Sequence, residues 1–167
     1  MTEEVDPAQV EHLRQKLLAE QNLPLGAAAG IVASLLGAAV WAAITVVTGY
    51  QIGFMAIGVG FLVGLAVRLA GRGLSVVFGV VGGVLALLGC AAGNLLAVTA
   101  LVAQHEEMAF FDVVLRLDPT LAFELMKSFA SPMDALFYAI AGYEGYQLSF
   151  RQLSPEELQQ KLGLPVS

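Results

Sequence analysis

Two long apolar stretches within residues 31–70 dominate the hydrophobic pattern of the chain and meet at a short polar turn, residues 48–51. Each stretch approaches the ~20 residues that an α-helix needs to cross a hydrocarbon layer of ~30 Å. No charged side chain interrupts them before Arg68. Because backbone groups in lipid must find hydrogen bonds within their own segment, such stretches favour helices. The pattern therefore predicts a membrane hairpin.

The same pattern continues beyond the hairpin and predicts a helical membrane domain over residues 24–150. Its four spans are expected at about residues 25–47, 51–69, 74–103 and 132–150. The third is longer than a bilayer is thick at ~1.5 Å per residue, so it must tilt or protrude. The fourth has about the minimum length for a span. The expected fold class is therefore all-α, a polytopic helical membrane protein.

Amphipathic segments flank the predicted spans. Residues 1–23 form a predicted N-terminal helix, and residues 151–167 a short C-terminal helix. Residues 104–131 should form two short interfacial helices, with Asp118 before a proline ending one and capping the next. Ser131 should then cap the fourth span. The first segment is acidic rather than a basic leader, which argues against a cleaved signal peptide.

Composition supports a membrane location, since 57% of the residues are hydrophobic and 13% are charged. The formal net charge is −6, but the acidic residues lie mostly outside the apolar stretches and form solvated flanks. Six of the eight basic residues fall in pairs before the first span, between the second and third, and after the fourth: Arg14, Lys16, Arg68, Arg72, Arg151 and Lys161. The other two, Arg116 and Lys127, lie in the acidic segment at 104–130. Because positive residues concentrate in cytoplasmic segments, both termini are expected in the cytoplasm.

Few residues offer catalytic or metal chemistry. Cys90 is the only cysteine and lies in an apolar stretch, so no disulfide framework or cysteine metal site is available within one chain. His105 stands beside Glu106 and Glu107, but adjacent helical residues point in different directions and favour a surface cluster. No basic cluster suggests nucleic acid. We expect no catalytic, cofactor-binding or metal-binding residue and no enzyme activity.

Glycines repeat through the second and third spans at spacings that favour close helix packing. The candidates for helix–helix contacts are Gly60, Gly64, Gly79, Gly83, Gly89 and Gly93. The spacing does not say whether the neighbouring helix belongs to the same chain or to another copy.

Glu144 is the most distinctive polar residue of the predicted spans. An ionisable group within a span is costly and is often used in ion paths and proton relays. Its place near the end of the fourth span favours instead an ion pair with Arg68, at a similar predicted depth. Asp134 at the start of that span is expected to be a helix cap.

Two stretches of the chain, residues 41–68 and 133–150, resemble those of small uncharacterised bacterial integral membrane proteins. The most distinctive parts are TGYQIGFMAIGVG at residues 48–60 and AGYEGY at residues 141–146. The resemblance implies a bacterial inner membrane and assigns no catalytic or binding residue.

These observations favour a non-enzymatic structural or accessory membrane protein, packed through its glycines as a homo-oligomer or docked on a larger membrane partner. The first alternative is an oligomeric channel or transporter for an ion or small solute, with lining candidates Glu144, Asn94, Thr99 and Gln147. The second is a lipid-binding protein or an intramembrane enzyme, supported only by interfacial aromatic residues. The sequence alone does not separate the first two.

Overall fold

The computed structural model describes residues 7–50, 53–129 and 131–151, and these residues form helices without strands. The helices are α1 (Pro7–Ala19), α2 (Leu23–Thr48), α3 (Met55–Gly71), α4 (Val76–His105), α5 (Phe110–Arg116), α6 (Pro119–Phe129) and α7 (Pro132–Leu148). The expected all-α class is confirmed. Most of the predicted C-terminal helix, at 151–167, lies outside the described residues.

Helices α2, α3, α4 and α7 pack into a four-helix bundle. Helices α3 and α4 contact each other, and each of them also contacts both α2 and α7. The two central helices therefore separate α2 from α7. Between them lies a core of small and branched side chains that includes Val59, Val63, Phe78, Ala86 and Trp41.

The residues that face each other fix the directions of the helices. Gly26 and Trp41 of α2 lie against Phe78 and Gly93 of α4, so α2 and α4 run parallel. Helix α3 runs the other way, because Gly26 also lies against Gly71 near the end of α3. Helix α7 runs parallel to α3.

The evidence for this last direction is a series of contacts along the α3–α7 interface. Gly53, before α3, lies against Phe137; Gly60 lies against Ala141; and Gly64 lies against Leu148. Residue numbers increase in the same direction along both helices, as parallel helices require.

One end of the bundle carries Arg68, Arg72 and Arg151, and we call it the arginine end. Here the backbone N–H of Asn22, just before α2, donates to the carbonyl of Gly71 at 2.9 Å. The N–H of Arg151, just after α7, donates to the carbonyl of Gly73 at 2.8 Å. The start of α2, the α3–α4 turn and the end of α7 therefore meet at this end.

Gln21 strengthens the same junction. Its Oε1 accepts hydrogen bonds from the N–H groups of Leu74 and Ser75, at 3.0 and 3.2 Å. These two groups precede α4 and have no carbonyl one turn earlier in that helix. The side chain therefore ties the α1–α2 junction to the start of α4.

The opposite end of the bundle holds the segment between α4 and α7. The two short helices predicted there are present as α5 and α6, and both contact α4. Asp118 caps α6 as predicted, since its Oδ1 accepts from the N–H of Leu121 at 2.8 Å. Ser131 and Asp134 form a reciprocal capping box at the start of α7, which confirms the role of Asp134 as a cap.

Helices α2 and α4 are long and apolar enough to cross a membrane. Helix α3 is also apolar but has 17 residues. It begins at Met55, later than residue 51, because Gly53 and Phe54 form a turn that precedes it. By length and composition the described residues thus contain two candidate spans, and these indicate a membrane protein.

Candidate functional site

The bundle interior is closed by glycines that let helix backbones touch. All six glycines predicted at helix contacts are buried, and a Cβ at any of them would lie within 3.1 Å of another helix: Gly60, Gly64, Gly79, Gly83, Gly89 and Gly93. In every case the neighbouring helix belongs to the same chain. The glycine faces of the described residues are therefore used inside the bundle.

Helices α3 and α7 approach each other closely at Gly60. A Cβ on Gly60 would stand 2.5 Å from the carbonyl oxygen and 2.8 Å from the Cα of Ala141. At such a distance two backbones are in direct contact, and no side chain can move aside to make room. Helix α7 is thus held by its backbone against α3.

A second set of residues forms a polar layer inside the bundle, consisting of Trp41 and Thr45 of α2, Asn94 of α4 and Tyr138 of α7. Asn94 is 4% exposed and shares a side-chain hydrogen bond with Tyr138. The Tyr138 hydroxyl also donates to the carbonyl of Cys90 at 3.4 Å. The side chain of Trp41 packs against Gly93, the residue before Asn94 in the chain.

Two polar atoms of this layer lack hydrogen bonds. Trp41 Nε1 and Thr45 Oγ1 are buried, and neither has a partner among the described residues. The two residues stand four positions apart on α2 and so share one face of that helix. Buried polar atoms without partners are uncommon in folded proteins.

The remaining lining candidates do not join this layer. Thr99 is buried, and its hydroxyl donates within α4 to the carbonyl of Leu95 at 2.7 Å. Gln147 is exposed on the outer side of α7. Glu144 lies six residues beyond Tyr138, about 9 Å along the helix axis. The four candidates therefore do not converge on one path within the chain.

Glu144 does not form the ion pair expected from the sequence. Its carboxylate oxygen Oε2 is buried without a hydrogen-bond partner, and none of the ion pairs among the described residues joins it to Arg68. The reason is a difference in depth. The backbone of Glu144 lies beside Gly64, one helical turn before Arg68, and Arg68 lines a cleft at the arginine end.

That cleft brings together residues from distant parts of the chain. It has a volume of about 500 Å³ and is lined by three arginines, one glutamate and four leucines: Arg68, Arg72, Arg151, Glu20, Leu17, Leu65, Leu69 and Leu74. The sequence indicated that these arginines share one side of a membrane. It did not indicate that they line one cleft.

Large apolar side chains are exposed on all four helices of the bundle. Large side chains that are more than 40% exposed occur on α2, α3, α4 and α7, among them Ile31, Val32, Leu35, Leu36, Val40, Phe61, Leu62, Val76, Val77, Val80, Val84, Leu87, Leu88, Met133 and Leu136. We call this surface the apolar band. Exposed apolar side chains in such number indicate contact with a membrane or with another protein.

The histidine, cysteine and acidic side chains singled out from the sequence lie apart in the described part of the chain. It contains no group of three or more histidine, cysteine or acidic side chains that could hold a metal ion. His105 Nδ1 lies 3.4 Å from the carboxylate of its neighbour Glu106, and both are exposed. Cys90 is buried, with its Sγ 3.7 Å from the carbonyl oxygen of Ala56.

No protein-family model, curated protein or solved structure matches the chain. The described residues form an all-helical bundle with glycines packed in its interior and large apolar side chains on its exterior.

Proposed function

We propose that the chain is a four-span protein of a bacterial inner membrane, with both termini in the cytoplasm and a structural or accessory role rather than an enzymatic one. The observation that carries this proposal is the apolar band, which surrounds a bundle whose interior is already filled by helix–helix contacts. Such a surface is stable in lipid and costly in water.

The directions of the helices support four spans. Helices α2 and α4 run parallel, so if both cross the bilayer, the chain must cross back between them through α3. Helix α7 covers the same height as α3, since Phe137 lies beside Gly53 at one end and Arg151 bonds to Gly73 at the other. A membrane that encloses α3 therefore encloses α7 as well.

The arginine end supports the orientation. Arg68, Arg72 and Arg151 lie together there, and the start of α2 lies at the same end. The opposite end carries the acidic segment between α4 and α7. An excess of basic residues on one side favours the cytoplasm for that side.

The glycine contacts support a structural role and refine how the protein would associate. Because the six packing glycines are used within the chain, a homo-oligomer or a complex with a larger membrane partner would form through the apolar band. Gly58 on α3 illustrates this outer surface, because a Cβ placed there would meet no atom within 4 Å.

Cysteine labelling in intact spheroplasts tests the topology. With Cys90 replaced by alanine, single cysteines at Gln15, Gln104 and Gln159 are exposed to an impermeant maleimide. Only position 104 should react from outside, and positions 15 and 159 should react after the membrane is permeabilised. Reaction of 159 but not 15 in intact cells would replace the four-span arrangement with three spans.

A transport function is a second candidate, favoured by the unpartnered polar atoms Trp41 Nε1, Thr45 Oγ1 and Glu144 Oε2. In an oligomer, Glu144 and the exposed Gln147 could face a path between copies. Proton flux into liposomes would favour this function if the wild-type protein supports it and Glu144→Gln abolishes it without loss of stability.

A further inference from the structure

The two unpartnered atoms of the polar layer belong to side chains that are almost completely buried. Trp41 is 1% exposed and Thr45 is 0% exposed. Trp41 Nε1 can only donate a hydrogen bond, whereas Thr45 Oγ1 can donate and accept. Neither atom has a partner among the described residues, and leaving a buried polar group in that state lowers stability. The folded chain would therefore gain from a ligand that bonds to both atoms.

Thr45 differs from the other threonines of α2 and α4 in what its hydroxyl does. The hydroxyls of Thr48 and Thr99 each donate to the carbonyl four residues earlier, at 2.7 Å. This bond within the helix is a common way to satisfy a threonine hydroxyl. Thr45 does not make the corresponding bond to the carbonyl of Trp41. Its hydroxyl is therefore available to a partner outside its own helix.

The two side chains belong to the interface between α2 and α4. Thr45 continues the face of α2 on which Ala38 and Trp41 lie against Gly93 of α4. Because the two helices run parallel, Thr45, seven residues beyond Ala38, lies at the level of Ala100, seven residues beyond Gly93. Ala100 is buried. An alanine at this level leaves more room beside Thr45 than a larger side chain would.

The site lies near one end of α2, which gives a small molecule a short route from solvent. Thr45 stands three residues before Thr48, the last residue of α2, about 4.5 Å along the helix axis. Gly49 and Tyr50, which follow, are exposed. A neighbouring groove between the ends of α2 and α4 has a volume of about 460 Å³, but neither Trp41 nor Thr45 lines it. A larger ligand in that groove would leave both polar atoms without a partner.

We propose that one internal water molecule binds between α2 and α4, where its oxygen accepts from the Trp41 Nε1–H and one of its O–H groups donates to Thr45 Oγ1. Water suits this pair because a single molecule accepts and donates at once. Buried waters in folded proteins typically bond to polar groups that the chain leaves unsatisfied, at roughly one water per 27 residues. The site lies within one chain, so the inference does not depend on the membrane location or the role proposed above.

Trp41 is the only tryptophan, so the site can be observed directly. The full chain, isotope-labelled at the indole nitrogen and held in mild detergent, should give one indole N–H resonance by NMR. Its proton should show a nuclear Overhauser cross-peak at the water frequency. Bulk water does not reach a ring that is 1% exposed, so this cross-peak reports a bound molecule. A wild-type spectrum without the cross-peak would overturn the proposal.

Replacing the hydroxyl by a methyl group tests the second partner. Thr45→Val should lower the thermal midpoint by about 2–4 °C, the shift expected when one hydrogen bond is lost in a chain of this size. Thr99→Val is the matched control and should lower the midpoint less, because that hydroxyl bonds within α4. A midpoint of Thr45→Val equal to or above that of Thr99→Val would also overturn the proposal, because removing a hydroxyl that has no partner should leave stability unchanged or raise it.

Discussion

At the scale of single residues, Gly58 and Gly60 stand two positions apart on α3 and have opposite surroundings. Gly60 meets the backbone of Ala141, and Gly58 meets nothing within 4 Å. Gly60→Ala should destabilise the protein by about 1–3 kcal/mol, as overpacking of a rigid contact does. Gly58→Ala should be neutral or stabilise by up to about 1 kcal/mol, because alanine favours helix over glycine.

Thermal unfolding of both variants in the same detergent provides the comparison. Each is the other's control, since the substitution, the helix and the membrane depth are nearly the same. If Gly60→Ala unfolds at the wild-type temperature, α7 does not pack against α3 as described.

Glu144 and Arg68 are expected to act independently. The Glu144 carboxylate has a buried oxygen without a partner, and leaving such a group unsatisfied typically costs about 1–3 kcal/mol. Glu144→Gln removes the charge and should leave stability unchanged or raise it. In a double-mutant cycle with Arg68→Gln, the two effects should add within about 0.5 kcal/mol. A larger coupling measured by thermal unfolding would restore the ion pair expected from the sequence.

At the scale of elements, the two serines that precede α4 and α7 differ in what they contribute. The Ser131 hydroxyl accepts from the N–H of Met133 at 3.2 Å and takes part in the capping box. Ser75 occupies the same position before α4 but makes no side-chain cap hydrogen bond. Ser131→Ala should therefore cost about 1 kcal/mol of stability.

Ser75→Ala is the matched control and should change stability little, because the Ser75 side chain makes no cap hydrogen bond. The backbone N–H of residue 75, which bonds to Gln21, is kept in alanine. Chemical unfolding of the two variants in detergent measures the difference. Equal losses would mean that the capping box contributes nothing specific to α7.

The helices could be predicted from the sequence because each one is coded locally. Apolar stretches set α2 and α4, and the residues at Asp118 and Ser131 mark helix starts with their own side chains. The start of α3 was placed too early because the apolar stretch continues through Gly53 and Phe54, which form a turn instead. Hydrophobicity does not distinguish an apolar turn from an apolar helix.

At the scale of the whole molecule, the contacts between helices could not be predicted from local sequence patterns. The glycine spacing predicted close packing but not the partners, such as Gly60 with Ala141 or Gly26 with Gly71. The sequence predicts that Arg68, Arg72 and Arg151 lie on the same side of the membrane. It does not predict that they line one cleft, because this depends on the hydrogen bond from the Arg151 N–H to the Gly73 carbonyl. The predicted Glu144–Arg68 ion pair is wrong for a related reason. Glu144 lies beside Gly64, one helical turn before Arg68, whereas the sequence pattern predicts a similar depth for the two residues.

The order in which the chain is made gives the α7 interface a further consequence. Gly60, Gly64, Gly79 and Gly83 are synthesised well before the residues of α7 that cover them. Until then the glycine surface of α3 and α4 lacks the helix that covers it in the folded chain, and α7 of another copy has the same shape as the missing helix. In a crowded membrane, α7 of one newly made chain can fill the vacancy in its neighbour. Such an exchange would link two copies through the same α7 contacts that each chain makes alone, apart from any association through the apolar band.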